Sequence, residues 1–188
     1  MIERIKNYLD GISRLVLEIP PEEIDRVTGA IIRAYEEDRC VYVFGNGGGS
    51  ATSSHFVCDL AKGTATEGKP RLRALSLAQN IPLLTAWAND TDYTNTFGEQ
   101  LRNLVRPGDV VIGLSGSGMS PNVINALKLA GDKGAVSVLL SGFEGGRAKE
   151  VAKMSIVVPS DDMQKIEDVH LILTHIIFRC VREHIRES

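Results

Sequence analysis

No stretch of this chain approaches the roughly 18 consecutive apolar residues that a membrane-spanning helix needs. Its start, Met1-Ile2-Glu3-Arg4-Ile5-Lys6, also lacks the apolar core of a secretory signal. No membrane association is expected, and the cytoplasm is the expected location. Excess positive charge is missing as well: 21 Lys and Arg stand against 24 Asp and Glu, a net charge of −3. Such a surface offers no field to a polyanion, so direct nucleic-acid binding is not expected. Cysteine is scarce, and the three present, Cys40, Cys58 and Cys180, have no metal-knuckle spacing. They read as reduced thiols packed in the core. Low-complexity tracts, solenoid repeats and Pro/Gly/Ser-rich linkers are absent too. That leaves 188 residues as a single domain, long enough to bury a core without disulfides or a structural metal.

What the chain does contain is an alternation. Ile2, Ile5, Leu9, Ile12, Leu15 and Val16 recur at helical spacing, and Pro20-Pro21-Glu22-Glu23 opens a second helix, so residues 1–39 form a helical lead segment. The apolar run Cys40 to Phe44 predicts a strand, Gly45-Asn46-Gly47-Gly48-Gly49-Ser50 a glycine loop, and Ala51 to Ala61 a helix. Strands are predicted again over 72–77, 110–114, 135–140 and 155–158, and helices over 81–88, 121–131, 147–153 and 164–185. Strands that are apolar on both faces and separated by helices imply a mostly parallel sheet covered on both sides, a doubly wound α/β fold for residues 40–188. The segment Lys62 to Lys69 is the expected mobile loop and a candidate cover for a ligand.

In such a sheet, ligands bind outside the carboxyl ends of the strands. Two loops lie there. The glycines of Gly45 to Ser50 let backbone approach a ligand and leave amides free at a helix start. Ser115-Gly116-Ser117-Gly118-Met119-Ser120 supplies three hydroxyls, with Ser120 placed to cap a helix that begins at Pro121. Neither loop carries the Lys-Ser/Thr pair of a triphosphate site, and the first lacks the spacing of a dinucleotide site, so a monophosphate is the expected ligand and no nucleotide cofactor is expected. His55 and Asp59, four apart on one helix, can face one site, and Glu167, Asp168, His170 and His175 form a second set on the last helix. Asn89-Asp90-Thr91-Asp92 reads locally as a helix stop with an Asx turn, and the lone Trp87 as a core residue.

These residues resemble the SIS (sugar isomerase) domains and, within them, the phosphoheptose isomerase group. The resemblance runs over nearly the whole chain. It is carried by Gly45-Asn46-Gly47-Gly48 with His55-Phe56, Ala88-Asn89-Asp90, Pro107-Gly108-Asp109-Val110, Ser115 to Val123, Val158-Pro159-Ser160, and Glu167-Asp168-Val169-His170 followed by His175. It implies a three-layer, flavodoxin-like sheet with N-terminal helices and a long C-terminal helix, and a homotetramer packed through helices with sites between subunits. The activity implied is aldose–ketose isomerisation of sedoheptulose 7-phosphate through an enediol. By the same resemblance Ser115, Ser117 and Ser120 hold phosphate, and Asp59 and His175 move protons. Asn46, Gly47, Gly48, Ser50, Asn89, Asp90 and Glu167 contact substrate, while His55, Asp59, Glu167 and His175 can hold zinc or another divalent metal.

Several positions depart from that pattern. The group's glutamate is the shorter Asp59, its glutamine is Glu167, a serine is Gly49 and a threonine is Gly116, while the arginine after the first-loop helix is missing, with Lys62 the nearest cation. Ser50 stands one residue late as a replacement hydroxyl. Two carboxylates at one site repel, and a divalent metal would relieve that repulsion. Glu167 and His175 are eight apart, about 12 Å of helical rise, so both reach one ion only if the helix begins after Glu167 or another subunit contributes. The departures leave two alternatives open: an isomerase for another sugar phosphate, and a non-catalytic phosphosugar-binding or regulatory protein.

Overall fold

Two strands, β1 (Cys40–Gly45) and β3 (Val110–Ser115), are buried at every position, as strands covered on both faces must be. Their successive side chains part to opposite sides. Val41, Val43, Val110, Ile112 and Leu114 enter one apolar layer, and Tyr42, Phe44 and Val111 the other. In the computed structural model, which describes residues 1–188, they are joined by β2 (Arg73–Ser76), β4 (Val136–Ser141) and β5 (Met154–Val157) in a parallel sheet of order β2-β1-β3-β4-β5. That is the flavodoxin-like order, with its switch point between β1 and β3.

The first layer is closed by α2 (Pro21–Glu36), α3 (Gly48–Cys58) and the long α8 (Met163–Glu187). The second is closed by α5 (Thr96–Leu104), α6 (Pro121–Asp132) and the short α7 (Gly146–Val151), with α4 (Ile81–Asp90) at its margin. The first helix, α1 (Ile2–Glu18), buries no residue fully. It is tied to α8 by Tyr8, whose hydroxyl donates to Asp168 at 2.7 Å. That carboxylate, with some desolvation, pushes the phenol up to about 12. No helix is long and apolar enough to cross a membrane.

The predicted elements are present, with three differences. α5 and the 3₁₀ turn before it, Tyr93–Asn95, had no periodic signal: α5 offers the core only Phe97 and Leu101 as large apolar groups, around Gly98. The helix expected over 51–61 starts earlier, at Gly48, and ends in a π-helical turn over Asp59–Gly63. Finally, only Cys40 is buried. Cys58 and Cys180 are exposed, because α3 turns Ser53, Phe56 and Val57 inward and α8 turns Leu173, Ile177 and Val181 inward, leaving both thiols on outer faces.

Candidate active site

At the switch point the loops after β1 and β3 meet. Asn46 ends the first turn out of β1 and pairs with Asn122 of α6, amide to amide, at 2.9 and 3.0 Å. Tyr93 adds a hydroxyl bond to Asn46 Oδ1 at 2.9 Å. Asn122 is 1% exposed, so its amide is satisfied only through this pairing and its neighbours Thr96 and Val123. Sequence reasoning passed over Asn122 as a site residue. Its signal was a polar amide in the first turn of a helix whose other inward residues are apolar.

Beside this clasp lies a cleft of about 150 Å³ lined by Asn46, Ser115, Ser117, Ser120, Glu167 and His170, among others. Ser115 donates to Ser120 across 3.2 Å, and Ser117 Oγ accepts from the Met119 amide at 3.2 Å. Because α6 begins directly behind Ser120, its positive end faces the same space, a setting that favours an anion. Two glycines leave room for the ends of α8 side chains. The Glu167 carboxylate lies where a side chain on Gly48 would project, and Met163 lies where one on Gly116 would project. The absent threonine thus has a physical counterpart in Met163. His170 is 2% exposed. Burial pushes its imidazole down to about 4, against a smaller opposing effect of a hydrogen bond to the Ser141 backbone.

Further along the same two helices, α3 and α8 bring three more groups together. His175 Nε2 is 3.2 Å from His55 Nε2, and Asp59 Oδ2 is 3.5 Å from the first-loop helix's His55 and 3.7 Å from His175. A tetrahedral ion with bonds of about 2.0–2.1 Å separates its ligand atoms by about 3.3 Å. The donor set and these edges therefore fit a divalent metal with three protein ligands and an open position. Glu167 of the same chain is not a fourth, which leaves a second subunit as the route by which this residue could reach such an ion. α8 runs unbroken through both residues, so the rise of about 12 Å stands, and Glu167 lines the serine cleft instead.

The remaining expected residues are placed as follows. Gly47 accepts the Ser50 hydroxyl bond at 2.7 Å through its carbonyl, which turns Ser50 back onto its own loop. Asn89 and Asp90 bond to each other at 2.9 Å on the exposed end of α4 and are not among the residues that line the cleft. Trp87 is half-buried rather than core. The segment 62–69 does not cover the cleft: Thr64 is 2% exposed and donates to Leu60, and Lys62 and Ala65 line a separate hollow with Asp59, Arg71, Arg182 and Arg186.

A doubly wound sheet of flavodoxin-like order, with a hydroxyl-rich cleft at its switch point, defines an α/β domain built to hold a small anionic ligand. A family profile described as the SIS domain matches residues 7–142. The phosphoheptose isomerase of Aquifex aeolicus is 34% identical over 190 residues, covering all of this chain and 99% of that protein. That of Helicobacter pylori is 35% identical, covering 89% of this chain and 87% of the relative. Among solved structures, the phosphoheptose isomerase of Neisseria gonorrhoeae superposes with a TM-score of 0.89 at 28% identity, covering 96% of this chain and 98% of that one. The chain belongs to the SIS domain family, in its phosphoheptose isomerase group.

Proposed function

We propose that this protein is an aldose–ketose isomerase that converts sedoheptulose 7-phosphate to an aldose heptose 7-phosphate. The observation that carries this reading is the arrangement along α3 and α8. Glu167 lies against Gly48 at one end of the helix pair, and His55 meets His175 at the other. The cleft and the histidine pair therefore meet α8 at points, Glu167 and His175, that are about 12 Å of helical rise apart. From C1 to phosphorus a seven-carbon phosphate spans eight bonds of about 1.5 Å, or roughly 10 Å when extended. A heptose phosphate anchored in the serine cleft has a length comparable with this separation, which suits it to place C1 and C2 toward the Asp59 end.

In this reading Ser115, Ser117 and Ser120 bind phosphate, helped by the α6 N-terminus and by backbone at Gly47 and Gly48. Anchoring that remote group orients the reacting carbons. Asp59 takes the proton from C1 or C2 and returns it to the other carbon. Its Oδ2 faces the two histidines, which leaves Oδ1 for the substrate. His175 exchanges a proton with the sugar oxygens. His55, Asp59 and His175 would hold zinc or a similar ion, which supplies Lewis-acid stabilisation of negative charge on those oxygens.

Asn89 and Asp90 act on a neighbouring copy's site, from the exposed end of α4. The same assembly, a homotetramer, covers the apolar residues of α1, where Ile2, Ile5 and Leu9 are 71%, 52% and 61% exposed. The test is purified protein, chelated and then supplied or not with zinc, mixed with sedoheptulose 7-phosphate and followed by carbon NMR. A new aldose heptose phosphate that forms with wild type and not with Asp59→Asn is the expected result. Unchanged turnover in the variant removes Asp59 from the chemistry.

A further inference from the structure

One side chain in the cleft has hydrogen-bonding capacity that the reaction above does not use. His170 lies one turn beyond Glu167 on α8, lines the cleft with Ser115, Ser117 and Ser120, and is 2% exposed. Its ring lies near the backbone of Ser141, which acts to raise its pKa against the larger effect of burial; Ser141 sits beside Ser115 in the β3–β4 register. Its Nε2 has no partner at all. With Nε2 unpartnered, Nδ1 is the nitrogen left to donate toward the Ser141 carbonyl.

These facts fix the ring's chemistry. A backbone carbonyl only accepts, so Nδ1 carries the proton, and the neutral ring presents a lone pair at Nε2. Burial holds the ring in that neutral form, pushing it down to about 4. A lone pair repels the oxygens of a phosphate dianion and pairs with a hydroxyl. The serines supply donors for phosphate, and His170 supplies the acceptor that they do not. A buried acceptor without a partner is disfavoured, so the ligand that completes it is selected.

We propose that His170 is a specificity-determining residue whose Nε2 accepts a hydrogen bond from a hydroxyl of the bound sugar phosphate, on a carbon close to the phosphate. The proposal rests on the reading of this cleft as a phosphosugar site. It gives the cleft a division of labour, with the serine loop selecting the phosphate and His170 the polyol chain beside it.

The test uses the full chain labelled with ¹⁵N-histidine, which has only four histidines to resolve, with His170 assigned through His170→Gln. Inorganic phosphate alone is expected to leave the Nε2 resonance in place, and sedoheptulose 7-phosphate to move it upfield, the direction of an accepted hydrogen bond. In kinetics, His170→Asn keeps a donor for Ser141 and removes the acceptor. KM for the sugar phosphate is expected to rise about tenfold, the equivalent of one hydrogen bond, with inhibition by inorganic phosphate unchanged. His170→Gln, whose side-chain carbonyl reaches the Nε2 position, is expected to recover most of the loss. Melting temperatures of both variants separate these effects from misfolding.

A resonance that ignores a sugar phosphate seen to bind or turn over overturns the proposal and leaves the isomerase reading intact. So does a resonance already shifted in the free protein, which would assign the lone pair to the buried Ser141 hydroxyl, itself without a partner. A wild-type protein that neither binds nor converts sugar phosphates overturns the isomerase reading and this proposal together.

Discussion

Lowering the pH from 7 to 5 weakens this fold through His170 in particular. The ring is 2% exposed, and its Nε2 is unpartnered. Protonation would place an uncompensated charge in the core, and burial pushes the group from 6.5 to about 4. The unfolded chain keeps the ordinary value, so between these limits it binds more protons than the folded one, and stability rises with pH. The contribution is complete above about 6.5 and is lost as pH falls toward 4. Across the whole window the linkage amounts to about 3 kcal/mol, of which about 2 kcal/mol is expected to have gone at pH 5. Urea denaturation of wild type and His170→Gln at both pH values measures it. Wild type should lose about 2 kcal/mol more than the variant between pH 7 and pH 5. Equal losses would refute the reasoning, because the buried neutral imidazole would then not be the group that titrates.

Three further outcomes follow from other parts of the molecule. Asp109 is 3% exposed and accepts from the amides of Cys40 at 2.9 Å and Arg106 at 2.7 Å; Asp109→Ala leaves two donors without their partner and is expected to lower unfolding stability by about 2–4 kcal/mol, measured by denaturant titration. Replacing Gly116 with threonine drives a side chain into Met163. It should raise KM with little change in the melting temperature, because only the flexible end of Met163 has to move, and the double change Gly116→Thr with Met163→Ala should restore KM if the conflict is steric. In equilibrium dialysis, wild type should retain zinc, His55→Ala and His175→Ala should each lose it by an order of magnitude or more, and Glu167→Ala should leave it unchanged. Loss of zinc in the Glu167 variant would assign the fourth ligand to Glu167 of another subunit.

Sequence alone determined the order of the strands and of every helix but α5, and the sheet's burial, because apolar runs of five or six residues between amphipathic segments have few other stable arrangements. It also located both loops at strand ends, where glycine and serine leave a clear local signal, and paired His55 with Asp59 through the fixed pitch of a helix. Helix pitch likewise kept Glu167, in the first turns of α8, apart from His175 at its middle. The tertiary structure decided what pitch cannot: which neighbour each face meets. It split the polar set on α8 three ways, sending Asp168 to Tyr8, Glu167 and His170 to the serine cleft, and His175 to His55. It put Met163 over Gly116, joined Asn46 to Asn122 across 76 positions, and left Cys58 and Cys180 on the surface. These are contacts between segments remote in the chain. They depend on how two helices settle on one sheet, and local spacing carries no information about that.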